Sequence, residues 1–186
     1  MKYLEMKQKT LALIEEINPE NENLTDDPDI QAKYEYVLTQ IMFELARIKK
    51  IPDYVEIEVN EGDVFTFEEI KDETDYDVYQ LDMIRGVKHE LKAQGTVIKF
   101  LESGTAEIEY FRYPTRITDK NRAKYEFDLP EEVLEIMPYG IAADLLKSDV
   151  SAEYGSVYAT RYESMKQMID PRYQTAMFTI EGGYSI

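Results

Sequence analysis

Residues Glu107-Ile108-Glu109-Tyr110-Phe111-Arg112-Tyr113-Pro114 form a β-like run that closes on an aromatic–proline step. Beyond a polar loop follow Tyr125-Glu126-Phe127-Asp128-Leu129-Pro130-Glu131-Glu132, then Met137-Pro138-Tyr139-Gly140-Ile141-Ala142-Ala143-Asp144-Leu145-Leu146. Last comes Tyr154-Gly155-Ser156-Val157-Tyr158-Ala159-Thr160-Arg161-Tyr162. Here strand character gives way to helix, and the prolines mark the joints. A helix running through Pro138 would lose a hydrogen bond and clash, at about 3 kcal/mol. The reading is therefore a short turn at 130–136, a main helix from Pro138 to Lys147 and a last helix from about Ser151 to Ile169. Tyr154, Val157, Tyr158, Tyr162, Met165 and Ile169 share a face of that last helix, and Pro171 ends it.

Upstream, Tyr3 to Ile17 reads as a helix with Leu4, Leu11, Ile14 and Ile17 on its apolar face, stopped by Asn18-Pro19. Asn18 to Asp29 is polar and reads as an exposed loop. The next helix has a strong start signal: Asp27 as cap, Pro28 at the first helical position, Asp29 at the positive end of the dipole. Ile30, Tyr34, Val37, Leu38, Ile41, Met42, Leu45 and Ala46 then recur at helical spacing until Lys49-Lys50 and Pro52 close it. From Tyr54 the period becomes two. Val55, Ile57 and Val59 alternate with polar residues, Glu61-Gly62-Asp63 turns the chain, and Val64, Phe65 and Phe67 begin a return strand. Lys71 to Asp77 is too charged for a core, and Val78 to Ile84 is a further strand. Thr96 to Leu101, the Ser103-Gly104 turn and Ala106 to Tyr113 predict a hairpin.

The layout is α+β and mainly helical. It is one domain over 1–186, with a four-helix core from 1–50 and 129–170, an appended antiparallel β insert at 54–115 and an extended carboxyl-terminal arm at 171–186.

The chain of 186 residues carries 38 acidic against 21 basic side chains, a formal charge of −17. Such a surface repels phosphate, which argues against a groove that grips nucleic acid. It serves solubility, or it faces DNA that must pass without sticking. The absence of Cys excludes disulfides and thiolate metal sites. No stretch approaches the ~20 apolar residues of a membrane span, and the amino terminus lacks a signal peptide's apolar run. A protein made in the cytoplasm is expected.

No catalytic signature emerges. His89 is the single histidine, flanked by Lys88 and Glu90, and reads as a surface residue. The acids Asp72, Glu73, Asp75, Asp77 and Asp82 lack the glycine and glutamate that a calcium loop places at its sixth and twelfth positions. Glu131-Glu132 is explained by a helix start, and Glu15-Glu16 and Glu68-Glu69 lack the aromatic platforms of a glycosidase cleft. No Walker, dinucleotide or Gly-x-Ser-x-Gly motif is present. Fifteen tyrosines without a tryptophan suit packing and interfaces. Tyr173, Met177, Phe178, Ile180 and Tyr184 lie past the last helix with no assigned core. They are candidate contacts with a neighbouring sheet edge, with folding back on the same chain as the alternative.

The ordered set Tyr113-Pro114, Leu129-Pro130-Glu131-Glu132, Pro138-Tyr139, Ala142-Ala143, Leu145-Leu146 and Tyr154/Tyr158/Tyr162 resembles the head-tail connector (neck or adaptor) proteins of tailed bacteriophages. The likeness spans Gly104 to Ile169, and the amino-terminal helices more loosely. It implies a non-enzymatic virion protein, without cofactor or metal, that assembles as a ring beneath the portal. Its partners would be copies of itself, the portal and a tail or head completion protein. The genome would pass nearby without sequence-specific binding, and no membrane is involved. The alternative from another class is an acidic module that neutralises a basic partner, as a DNA mimic does.

Overall fold

A computed structural model describes residues 1–148 and 152–169. The chain is α+β, with helices at both ends of the described region and two small antiparallel sheets between them.

Helix α1 (Tyr3–Leu13) stops before the Asn18-Pro19 expected to end it. Glu15 takes the left-handed conformation (φ 61°), Glu16 N–H donates to Leu11 O at 3.0 Å, and Glu15 N–H donates to Ala12 O at 3.4 Å. This pair of bonds closes the carbonyl end locally. The expected face is only partly the buried one. Tyr3, Met6, Lys7, Thr10 and Leu11 are buried, whereas Leu4 is 53% exposed and Ile17 38%. Leu11 and Ile14 face the core as expected, and Tyr3, Met6 and Thr10 supply the rest of the stripe in place of Leu4 and Ile17. Helix α2 (Pro28–Ile48) is as expected: Asp27 Oδ1 accepts from Asp29 N–H (2.7 Å) and Ile30 N–H (3.2 Å), and its eight periodic positions are buried.

The strands run from Ile51 to Arg112. They are β1 (Ile51–Val59), β2 (Val64–Thr66), β3 (Val78–Arg85), β4 (His89–Lys92), β5 (Val97–Phe100) and β6 (Gly104–Arg112). Neither expected hairpin forms. One sheet has the order β1-β6-β3 and the other β2-β5-β4, so the turns at 60–63 and 101–103 carry the chain from sheet to sheet. The physical reason lies in β6. Its inward residues Ala106, Ile108 and Tyr110 need a long partner on each side, and β1 matches it in register from Ile51↔Arg112 to Val59↔Gly104. Gly86 permits the crossing after β3. It sits at φ 88°, and a Cβ there would lie 2.3 Å from Thr105 O.

The charged stretch expected to lie outside the core overlaps helix α3 (Phe67–Thr74), with Phe67 in the helix rather than a strand. Thr66 N–H donates to the Glu69 carboxylate at 2.6 Å, half of a capping box, and buried Ile70 anchors the helix to the β core. That core joins Ile57, Val59, Ile98, Phe100, Ala106, Ile108 and Tyr110 from both sheets.

Downstream lie α4 (Glu131–Leu134), α5 (Met137–Leu145) and α6 (Ala152–Lys166). Helix α5 packs against α1, α2 and α6, and most of its surface is buried. At Gly140 an added Cβ would meet the Tyr162 ring at 2.8 Å, so α6 lays that ring on bare backbone. The expected α6 face is displaced: Tyr162 is buried and Tyr158 half-buried, but Tyr154 is 70% exposed and Val157 62%. The amino terminus is pinned by Tyr3 N–H donating to Tyr125 O (3.0 Å) and Phe127 N–H donating to Met1 O (3.1 Å). Among the described residues no helix is long and apolar enough to cross a membrane.

Candidate functional site

Where the β module meets the helices, the alternation of β6 points Arg112 inward. Its Nε donates to Asp53 Oδ2 at 2.9 Å and its Nη1 to Asp128 Oδ2 at 2.6 Å, while the guanidinium lies 4.0 Å from the Tyr76 ring centroid. Burial opposes the charge, but the bonds to Asp128 and Asp53 outweigh it and hold the guanidinium's pKa above its ordinary value. Asp53 lies near the start of β1 and Asp128 just before α4, so one side chain at the end of β6 ties both ends of the module to the body. Beside it, Tyr113 stacks on Phe43 of α2 with centroids 5.1 Å apart, and on Tyr79 of β3 at 4.8 Å. Tyr79 donates to Ala46 O, and burial pushes its hydroxyl up to about 12. These contacts brace a joint.

An open groove of about 820 Å³ lies between α1, the loop before α2, the start of α2 and the segment 119–123. Lys7 borders it with its ammonium 5.3 Å from the Tyr34 ring centroid. Arg122 is held there by Glu35 (2.6 Å) and Asp119 (2.7 Å). Burial lowers the Lys7 pKa, with Glu35 opposing and Arg122 assisting. The groove mixes both signs, Glu22, Glu35 and Asp119 with Lys7 and Arg122, and has no converging nucleophile and base.

The outer face of the β1-β6-β3 sheet is acidic. Glu56 stands directly opposite Glu107, and Tyr54 opposite Glu109. Arg85 bridges Glu107 (3.3 Å) and Glu109 (2.9 Å), and Thr105 donates to Glu58 at 2.6 Å. Among the described residues Glu56 has no ion-pair partner, and like charges placed opposite are unfavourable. Exposed Tyr54 and Met83 share this face.

On the helical body, α6 presents Tyr154, Val157 and Arg161 outward at three- and four-residue spacing, and Met168 lies exposed in the turn just past its end. Arg161 stacks 4.8 Å from the Tyr139 ring centroid, at a groove of about 570 Å³ floored by Leu13, Pro138, Tyr139 and Met165.

His89 is half-buried at the start of β4 rather than fully on the surface. Its Nδ1 lies 3.2 Å from Val87 O, so a carbonyl rather than a carboxylate orients the ring. The acids at 72–77 are spread along α3 and its end, where Lys71 and Arg116 engage Asp77; the Lys71 bond leads in lowering its pKa. Among the described residues no group of three or more His, Cys, Asp or Glu is placed to hold a metal ion. Tyr173, Met177, Phe178, Ile180 and Tyr184, the expected partner contacts, lie outside the described residues.

Sequence reasoning missed Arg112 and Arg161. The first was legible as the fourth member of the inward series 106, 108, 110, 112. The second needed the true phase of α6, which Gly155 marks by being buried. Comparison with protein-family models and with curated proteins finds no match to this chain.

Proposed function

We propose that this chain is a structural subunit of a tailed-phage virion, a head-tail connector that assembles as a ring under the portal around the DNA path. The observation that carries this reading is the organisation of the stretch bearing the resemblance. Pro138-Tyr139 to Leu145 forms the hub helix α5, against which α1, α2 and α6 pack on one side of an inserted β module. A body whose helices flank the insertion, with apolar residues left on its outer helix, suits stacking among copies rather than turnover of a substrate. The arm at 171–186 would extend such contacts to the next subunit, the portal or a completion protein.

Sedimentation velocity on concentrated protein, alone and mixed with portal rings, tests the reading. A large closed oligomer is expected in at least one condition; monomer in both sinks it.

The acidic sheet face, with Glu56 opposite Glu107, favours a second reading as a module that neutralises a basic partner. That reading requires tight binding to a basic enzyme that weakens steeply with salt.

A further inference from the structure

Two features of the surface lack an explanation within one chain. The outer face of β1 and β6 sets the unpaired Glu56 against Glu107, beside exposed Tyr54 and Met83. On α6, Arg161 has a ring beneath it and, among the described residues, no carboxylate partner, while Tyr154 is 70% exposed and Val157 62%, with Met168 82% exposed just past the helix end. Each surface supplies what the other lacks. A guanidinium stacked on an aromatic ring keeps its N–H fork free for a carboxylate. Arg85 already reaches Glu107 at 3.3 Å, so a further cation placed between the two glutamates serves Glu56 above all.

We infer that α6 of one copy lies on the outer face of the β1-β6-β3 sheet of the next, with Arg161 seated on Glu56 and Glu107 of its neighbour. Tyr154, Val157 and Met168 then cover Tyr54 and Met83. Helix on sheet is a stable layering, and the dimensions agree: α6 is about 22 Å long and β1 about 30 Å. The contact joins two different surfaces of the same chain. It is therefore heterologous, and successive copies close into a ring when the rotation permits. Its composition of tyrosine, methionine and arginine with a charged rim is that of an interface centre.

This inference rests on the proposed self-assembly and names the surfaces that carry it. Full-length Arg161→Glu and Glu56→Arg are each expected to raise the concentration needed for assembly by about tenfold or more, and the double exchange to restore it to near the wild-type value. Glu56→Gln adds a readout independent of misfolding. It removes the like-charge opposition, so dilute protein melts higher while assembly weakens. Circular dichroism on each variant confirms that the helices persist. If wild type forms rings and the single variants form them equally well, this contact is wrong and the connector reading stands. If the singles fail but the double does not recover, the pairing is also wrong. If wild type never assembles, alone or with portal rings, both readings fall.

Discussion

The helical body and the β module bury their side chains in different ways, and the contrast tells which part gives way first. The body gathers α1, α2, α4, α5 and α6 around Tyr34, Leu38, Met42 and Ile141, with the segment 125–129 closing one side. The module encloses a smaller cluster around Ile98, Phe100, Ile108 and Tyr110, lidded by Ile70 from one short helix. Its two sheets have three strands each, and β2 has three residues. A small core holds less apolar area per ordered residue, so the module is the less stable unit. Both units leave apolar side chains in water, Tyr54, Met83 and Leu91 on the module and Tyr154, Val157 and Met168 on the body, but the module sets Tyr54 and Met83 among facing glutamates.

The strongest way to break this contrast is to hollow out the module. Phe100→Ala is expected to cost about 3–5 kcal/mol. Hydrogen exchange should quicken across 51–112 while α2 and α5 stay protected. If those helices lose protection in step, the two cores are one cooperative unit and the distinction fails.

A smaller effect should come from the joint. Arg112→Met strands Asp53 and Asp128, whose side chains are 31% and 23% exposed, so the cost falls below that of a fully buried pair, at about 1–3 kcal/mol. The sharper readout is cooperativity. Scanning calorimetry should split one transition into two as the module uncouples, and a single unbroken transition would argue that the Phe43–Tyr113–Tyr79 stack suffices.

The smallest effect concerns the body alone. Burial holds the Lys7 pKa in the folded state below its unfolded value, so folding favours the neutral amine. Below the folded pKa this weakens the native state, and the loss is relieved as pH climbs through the folded value to the unfolded one. Lys7→Met should therefore be more stable than wild type at neutral pH, with the gap narrowing towards pH 10 in denaturant titrations. A gap that widens with pH would reverse the assignment.

How much of this was legible in the sequence follows from how local each signal is. Helix α2 could be read because Asp27-Pro28 marks its start and every core residue lies on one strand of the same spiral. The strands could be placed but not paired. Proximity in sequence suggested hairpins at 61–63 and 103–104, whereas β6 selects partners by length and by burial on both edges, which no local pattern encodes. Helix α3 was hidden by its charges, although Thr66-x-x-Glu69 is a helix-start signature. The faces of α1 and α6 were read only in part, for opposite reasons. In α1 some buried residues are polar-tipped ones such as Tyr3 and Thr10, and in α6 the contact is made by Gly155, which has no side chain to read. The proposed contact was half visible: Glu56 reads as outward from the alternation of β1, whereas Arg161 could be placed only once the phase of α6 was known.

Ile51 and Arg112 are paired neighbours although the whole insert separates them in sequence. The module therefore leaves the body and returns to it at one place, like a paddle on a short stalk. A tilt of about 10° at that stalk would swing the far turns about 5 Å, given strands of about 30 Å. The Arg112 clamp accordingly governs how accurately the module is aimed relative to the body, and in the proposed ring it would set how one subunit meets the next.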